Sequence, residues 1–402
     1  MRIDENLKQP FAPHQDKSPQ NPEGDSANAC VPISVIVISG VSKLSDNEVE
    51  ATIEPFRNKC LTAAMIEDLL RRVTALYHAK GFITSRAALK MPQEFSKDGI
   101  LEIVVIEGWI EKILFNDNTV RDRIQSRMAF GDIAGEKLNI RDIDNAIEQI
   151  NRLSSQNATM QIEPGSSVGA SVIAVKTQPR DNVQLSLYYR DEGRKLKDKA
   201  ALISALSIEN PSALNDRLRI SYSQKEGDSS RQYERGRSFS YTFPYAFWLF
   251  DLTHSNSKYL STIQGSVISF RSSGFVETTS LNVNRLLFRD QRQKAAIDFM
   301  VEQRRNKSFI NKTLIEVSSA KVANARLNIN YLRYIDSGFI YIDIGAKKGV
   351  DWFGADDEIE DIKNNEPHKR FELYALRASI NKICPYSDFR LISKFNILKT
   401  NY

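Results

Sequence analysis

The chain has 402 residues, more than one ordinary core needs, and as a prior holds two or three domains. Lys and Arg (55) nearly balance Asp and Glu (50), so the net charge of +5 belongs to a mixed surface and gives no basic, aromatic-interleaved patch for nucleic acid. A 41% hydrophobic content and a mean hydropathy of −0.38, with Tyr245 to Phe250 as the longest apolar run, exclude a helical membrane protein, but not a β-barrel, whose alternating strands average out.

Residues 1–29 are polar and carry Pro10, Pro13, Pro19 and Pro22, the composition of an extended linker. Met1 leads into polar residues with no apolar stretch of a secretory signal; literally this means a cytosolic chain, and otherwise a missing or miscalled start. The β-branched run Ser34 to Gly40 predicts a strand. Ser45 with Glu48 three residues on is a capping box that starts a helix reaching about Pro55. Ile66, Leu69, Leu70, Val73, Leu76 and Tyr77 recur at helical spacing after Thr62, and Gly81 ends that second helix. Strands follow near Phe82–Leu89 and Ile100–Ile106. The order β-α-α-β-β then repeats: a strand at Trp109–Asn116, a helix at Val120–Phe130, a helix striped by Ile140, Ile143, Ile147 and Ile150, and strands near Ala158–Glu163 and Ser171–Thr177. One continuous α+β domain is the plainer alternative to two tandem modules.

After Pro179 the period changes from 3.6 to 2. Val183/Leu185/Leu187/Tyr189, Leu218/Ile220/Tyr222, Phe239/Tyr241/Phe243, Leu281/Val283, Ile297/Phe299/Val301 and Ala325/Leu327/Ile329/Tyr331 alternate with Ser, Asn, Gln, Arg and Asp. Further pairs continue the pattern to Phe389/Leu391. Segments of about ten residues with aromatic ends fit an all-β antiparallel transmembrane barrel. A soluble sandwich, whose strands average about five or six residues, is the competing architecture.

Three cysteines without CxxC spacing (Cys30, Cys60, Cys384) and four scattered histidines form no metal constellation. GxxxxGK[ST], GxGxxG and GxSxG do not occur. The sequence therefore signals no metal, no cofactor and no enzyme.

Three stretches carry a family resemblance. They are Cys30-Val31-Pro32-Ile33 with Asn58-Lys59-Cys60-Leu61; Tyr77-His78-Ala79-Lys80-Gly81-Phe82-Ile83-Thr84-Ser85-Arg86-Ala87 followed by Ile103-Val104-Val105-Ile106-Glu107-Gly108; and, further on, Tyr241-Thr242-Phe243-Pro244-Tyr245, Leu287-Phe288-Arg289-Asp290-Gln291-Arg292 and Trp352-Phe353-Gly354-Ala355. Together they resemble the outer-membrane transporters of two-partner secretion, the haemolysin/haemagglutinin secretion and activation proteins (ShlB/FhaC/HecB-like) of the Omp85 superfamily. The family's VRG[YF] motif is absent, and about eleven strands are legible where the family's barrel has about sixteen. The expectation is a chain truncated at both ends and inactive alone, with its first strand, Asn182–Arg190, and its last, Phe389–Leu398, left unpaired.

The resemblance implies polypeptide-transport-associated (POTRA) modules at residues 30–108 and 109–179, then a partial outer-membrane barrel over 180–402. It implies nucleotide-free passage of an unfolded exoprotein, insertion into outer-membrane lipid by the barrel-assembly machinery, and periplasmic modules. A sheet edge and apolar groove beside the first module's second helix would capture the client, with Leu69, Val73, Tyr77, Phe82, Thr84 and Arg86 as candidates. A purely core role for the helix stripe, and an anchoring role for Arg86, compete with that assignment. Arg285, Arg289 and Gln303 are the barrel-lumen candidates. The resemblance also implies a Cys30–Cys60 disulfide, which would close a loop of about 30 residues. A soluble periplasmic scaffold of POTRA type is the alternative function.

Overall fold

The computed structural model describes residues 30–93, 99–190, 201–226, 232–358, 368–383 and 390–401. The Pro-rich segment 1–29, Cys384 and Phe389 lie outside them. Contacts divide the chain into two units: residues up to 74 with 87–105, and residues 75–86 with 106 onward.

In the first unit the run that reads as one strand is two. Cys30–Ile33 (β1) pairs with Lys59–Thr62 (β3), while Val35–Ser39 (β2) joins Ile100–Ile106 (β5) in parallel. Cys30 and Cys60 are disulfide-bonded across the small β1–β3 sheet, Cα to Cα 5.3 Å. Helix α1 covers Asp46–Ile53, opened by the Ser45/Glu48 capping box; Ser45 N–H donates to Glu48 Oε2 at 2.9 Å, so two otherwise orphaned donors are satisfied reciprocally. Helix α2 runs Ala63–Ala79, and Arg86–Leu89 (β4) completes the sheet in the order β2-β5-β4. Ile36, Leu101, Ile103 and Val105 from the strands and Ile66, Leu69 and Val73 from α2 are buried.

The strand expected at 82–89 starts only at Arg86. Gly81, at φ +96°, breaks out of α2, Phe82 N–H donates back to Tyr77 O at 3.0 Å, and Ser85 N–H donates to Phe82 O at 3.1 Å. Two closed turns therefore occupy residues that look β-prone in isolation.

The second unit repeats the module. Trp109–Phe115 (β6), Val120–Phe130 (α3), Ile140–Asn151 (α4), Ala158–Pro164 (β7) and Ala170–Thr177 (β8) give a sheet ordered β6-β8-β7, with β6 and β8 parallel. The strand order is that of β2-β5-β4, so the repeat read from the sequence is also a repeat in space. Ile110, Phe115, Phe130, Leu138, Ile143, Ile150 and Ile173 form its core.

From Val183 the unit is one antiparallel sheet. Its strands are Val183–Arg190 (β9), Ala201–Glu209 (β10), Arg217–Glu226 (β11), Tyr233–Tyr245 (β12), Trp248–Gln264 (β13), Ser269–Arg289 (β14), Gln293–Ile310 (β15), the two-residue Thr313–Leu314 (β16), Ala320–Ile335 (β17), Gly338–Val350 (β18), Glu372–Ile383 (β19) and Arg390–Asn401 (β20). Eleven strands follow a single path from β9 to β20, with β16 paired to β15 beside it. β9 and β20 are the two ends of that path and do not pair with each other among the described residues.

The register sorts the side chains into two faces. One row reads Val183, Ile208, Leu218, Tyr241, Leu252, Leu281, Val301 and Ala325 across eight strands. The next reads Phe243, Phe250, Val283, Phe299, Leu327, Ala346 and Tyr374. This apolar face is open: Leu187 is 66% exposed and Leu252, Leu281 and Leu327 over 40%. The opposite face carries a polar ladder, in which Asn284 Nδ2 donates to Asp298 (2.8 Å), and Asn328 (2.9 Å) and Arg377 (3.0 Å) both donate to Asp343. A period of two gives every strand one side of each kind.

Candidate functional site

Two features carry chemistry: the free edges of the module sheets, and the turns at the module-proximal end of the large sheet.

The register of β7 fixes which backbone groups are available. Ala158 N–H and C=O are taken by Asn151 at the end of α4, with Asn151 Nδ2 donating to Ala158 O at 2.9 Å, so Ala158 faces away from β8. At the other end Gly165 N–H donates to Ala170 O at 2.9 Å, so the odd-numbered positions face β8. Met160 and Ile162 therefore point their N–H and C=O outward along an edge with no strand partner among the described residues. Their side chains, with Ile147 of α4, pack half-buried against the core. An open strand edge beside an apolar groove can accept an extended peptide through main-chain hydrogen bonds.

The first module has a shorter version. Ala87 N–H of β4 donates to Thr74 Oγ1 of α2 at 3.0 Å, the same sealing of the first edge donor by a helix side chain. β4 has only four residues, so little edge remains.

The sequence candidates fall differently. Leu69, Val73 and Tyr77 are 0%, 1% and 0% exposed and are core residues; with no surface to offer, they cannot line a client groove. Tyr77 donates its hydroxyl to the buried Glu107 at 2.7 Å, and Lys137 meets the other carboxylate oxygen at 3.2 Å. Phe82 sits edge-on to the Tyr77 ring at 6.2 Å, in a turn. The Thr84 hydroxyl is buried without a hydrogen-bond partner, packed where a Cβ on Gly108 would collide with it. Arg86 is exposed at the start of β4.

Two of the three lumen candidates share the face of the apolar rows. Arg285 pairs with Ile297 in the apolar row and lies over the Trp248 ring at 4.7 Å. Gln303 pairs with Thr279 and Ala323, on the side of Val301, and donates to Phe353 O at 3.0 Å. Only Arg289 reaches the polar side: a bulge between Leu286 and Phe288 inserts one residue and flips the parity after it. Arg289 then forms an ion pair with Glu148 of α4, which Lys294 approaches at 3.5 Å.

The turns of the large sheet are wired to the second module through groups that sequence alone did not single out. Glu209, at the end of β10, accepts from Ser155 N–H (2.8 Å) and from Arg217 (2.8 Å). Arg152 donates to Asn215 O at 2.6 Å and accepts at its own carbonyl from Arg217 at 2.7 Å; Asn215 Nδ2 donates to Gln125 O at 2.8 Å. Asn215 and Asp216 are fully buried. Burial, reinforced by the neighbouring Arg217 charge and opposed by Glu209, Asp216 and Asp251, pulls Arg152 down to about 10, so it stays protonated at neutral pH. The Ala246 turn is held in the same way, its N–H donating to Met128 O at 2.8 Å and its carbonyl accepting from Asn145 at 3.2 Å. Burial also raises the carboxyls of Asp142 and Asp144, against the pull of Arg141 and Arg289 respectively. The signal that could have found this network is the polar density of Asn210 to Arg217, too rich for a simple hairpin.

Among the described residues no His, Cys, Asp or Glu cluster could hold a metal ion.

Comparison with known proteins gives a consistent picture. The family profile for haemolysin secretion/activation protein ShlB/FhaC/HecB matches residues 169–398, that for the ShlB-type POTRA domain matches 31–108, and a further POTRA domain profile matches 109–164. The chain is similar to the outer membrane transporter CdiB of Dickeya dadantii (strain 3937), 29% identical over 87% of this chain and 62% of that one. It is also similar to the hemolysin transporter protein ShlB of Serratia marcescens, 26% identical over 87% and 60%. The solved structure of CdiB from Escherichia coli superposes with a TM-score of 0.84 at 28% identity, covering 94% of this chain and 70% of that one. The chain thus spans less than two thirds of the full length of the Dickeya dadantii and Serratia marcescens relatives.

Proposed function

Because the chain belongs to the haemolysin secretion/activation protein family ShlB/FhaC/HecB, we propose that it acts in two-partner secretion at the bacterial outer membrane. Its modules, 30–108 and 109–179, capture an unfolded exoprotein of haemolysin or adhesin type, and its β-sheet region, 180–402, lies in the membrane. The barrel-assembly machinery inserts it, and no nucleotide or catalytic step is involved. The observation that carries this reading is the division of the large sheet. An exposed apolar band runs across the strands on one face while the opposite face is a polar ladder, the arrangement required when one side meets lipid and the other lines a conduit. A soluble scaffold would have no use for that much exposed apolar surface.

Capture works by strand addition at the β7 edge, where Met160 and Ile162 offer backbone donors and acceptors and the groove with Ile147 takes alternate apolar side chains of any extended client. In the first module Arg86 and the short β4 edge add a second, weaker contact. The test is a pair of prolines. Ile162→Pro removes an N–H that faces outward and should leave the module folded while lowering capture of an unfolded client segment about tenfold. Gln161→Pro removes an N–H of the β7–β8 ladder and should destabilise the module itself. Undiminished client binding by the Ile162→Pro chain would overturn the edge as the capture site. Failure of the chain to fractionate with outer membranes would overturn the transporter reading as a whole.

A further inference from the structure

Beyond its apolar rows, the same face of the sheet becomes cationic. Arg237, Arg305 and Lys321 stand in one row of the register, and Arg235, Lys258 and Lys307 in the next. Glu277 is the one carboxylate in those two rows among the described residues, and its neighbour is His254 at 3.7 Å. Arg237, Lys258 and Lys307 have no carboxylate partner among the described residues. Arg235 lies over Tyr233 at 5.0 Å and Arg305 over Phe275 at 6.0 Å, so aromatic rings are interleaved with the charges.

The height of this belt follows from strand geometry. Trp248 opens β13 at the module-proximal end, stacked with Phe250, which in turn stacks on Phe243. Lys258 lies ten residues further along β13. At about 3.4 Å per residue and a barrel tilt of about 40°, the climb is about 25 Å, the height of an outer-membrane apolar band. The aromatic cluster then marks one membrane interface and the cations mark the other, at the sheet end opposite the turns that contact the second module.

The belt is also concave. A cavity of about 610 Å³ elsewhere, at the Arg285 end, mixes cations with Asp142 and Asp290, but the belt holds two smaller ones that are strongly basic. One, of about 460 Å³, is lined by Arg235, Arg237, Lys258, Asn256, Tyr222 and Tyr233. The other, of about 350 Å³, is lined by Arg305, Lys307, Lys321, Asn306 and Ser319 together with one carboxylate, Asp356, which accepts from Lys321 N–H at 2.8 Å. Arg237 and Arg305 are three strands apart, about 14 Å.

We propose that this belt binds lipopolysaccharide of the outer leaflet, the two cavities taking the two phosphates of its lipid A disaccharide while the acyl chains cover the apolar rows. The inference rests on the outer-membrane reading above and deepens it by naming a lipid and a site. A glycerophospholipid carries one phosphate and would fill one cavity, whereas a bis-phosphorylated disaccharide can reach both.

The test uses the full chain refolded in detergent. Flotation with vesicles comes first, and affinities for bis-phosphoryl lipid A, dephosphorylated lipid A, phosphatidylglycerol and inorganic phosphate follow. Bis-phosphoryl lipid A should bind about tenfold tighter than either other lipid, and inorganic phosphate should not compete at equal concentration. Arg237→Gln with Lys258→Gln, and separately Arg305→Gln with Lys307→Gln, should each remove about that tenfold. Arg304→Gln, on the opposite face of β15, should change nothing while reporting that the sheet still folds. Equal binding of all three lipids, competition by phosphate alone, or a preference that survives both double substitutions overturns the proposal. A chain that floats but shows no preference removes only this inference; a chain that does not float removes the membrane reading with it.

Discussion

In the first module the edge strand β4 has four residues and Thr74 caps its first outward donor; in the second, β7 has seven, and past the Asn151 cap two further positions stay open. The first module is stapled instead, by the β1–β3 sheet and the Cys30–Cys60 bond, whereas the second owes its hold to a buried polar network shared with the turns of the large sheet. One topology thus supports two kinds of rigidity. A covalent staple confines the unfolded chain, while buried hydrogen bonds depend on every partner being present.

Removing Glu209 should test the second kind hardest. Glu209→Ala leaves Ser155 N–H without its acceptor and the Arg217 charge without its carboxylate, and should cost roughly 3–5 kcal/mol in denaturant unfolding of the full chain. Glu209→Gln keeps an acceptor and should cost distinctly less. An alanine variant as stable as the parent would mean that water replaces the carboxylate, and the contrast between modules would vanish.

Opening the staple should come next. Cys60→Ala should lower stability by about 3–4 kcal/mol in the chain-entropy account. Limited proteolysis should then cut residues 30–105 before the second module; simultaneous cleavage of both would show that they unfold together.

Tyr77→Phe deletes the hydroxyl that donates to Glu107 and should cost roughly 1.5–3 kcal/mol, less if Lys137 compensates. Thermal unfolding of a Tyr77→Phe, Lys137→Met double variant would expose that compensation as non-additivity.

The smallest effect is pH-dependent. Burial raises the Asp142 carboxyl above its ordinary 3.8. The folded state therefore prefers the protonated acid: this contribution is fully present below about pH 4 and is lost as pH rises through the raised value. Asp142→Asn should consequently melt above the parent at pH 7, with the gap closing as pH falls towards 4. The gain stays small because Asp142 sits in the first turn of α4, where the helix dipole favours its charge. A variant less stable than the parent at pH 7 would show that the dipole dominates.

Local chemistry made much of this molecule legible. The Ser45/Glu48 box, the isoleucine stripe from Ile140 to Ile150 and the period-two runs after Pro179 are each determined within a dozen residues, and the elements they imply are present. The face of each strand was legible too: Arg285 shares its parity with Leu281 and Val283, and Gln303 with Val301, so alternation already placed both on the apolar side, and residue polarity was the poorer guide. What the sequence could not determine depends on partners distant in the chain. A β-branched run divides into β1 and β2 only because Lys59–Thr62 arrives to pair with its first half. Phe82 to Ser85 turns because Gly81 and the end of α2 claim its hydrogen bonds. The Leu69, Val73 and Tyr77 stripe is core and the Met160–Ile162 edge is open because β-strand order, not strand identity, decides which backbone groups and side chains are left uncovered. Periodicity is a property of neighbours along the chain; exposure belongs to the assembled layers, and the site is made of exposure.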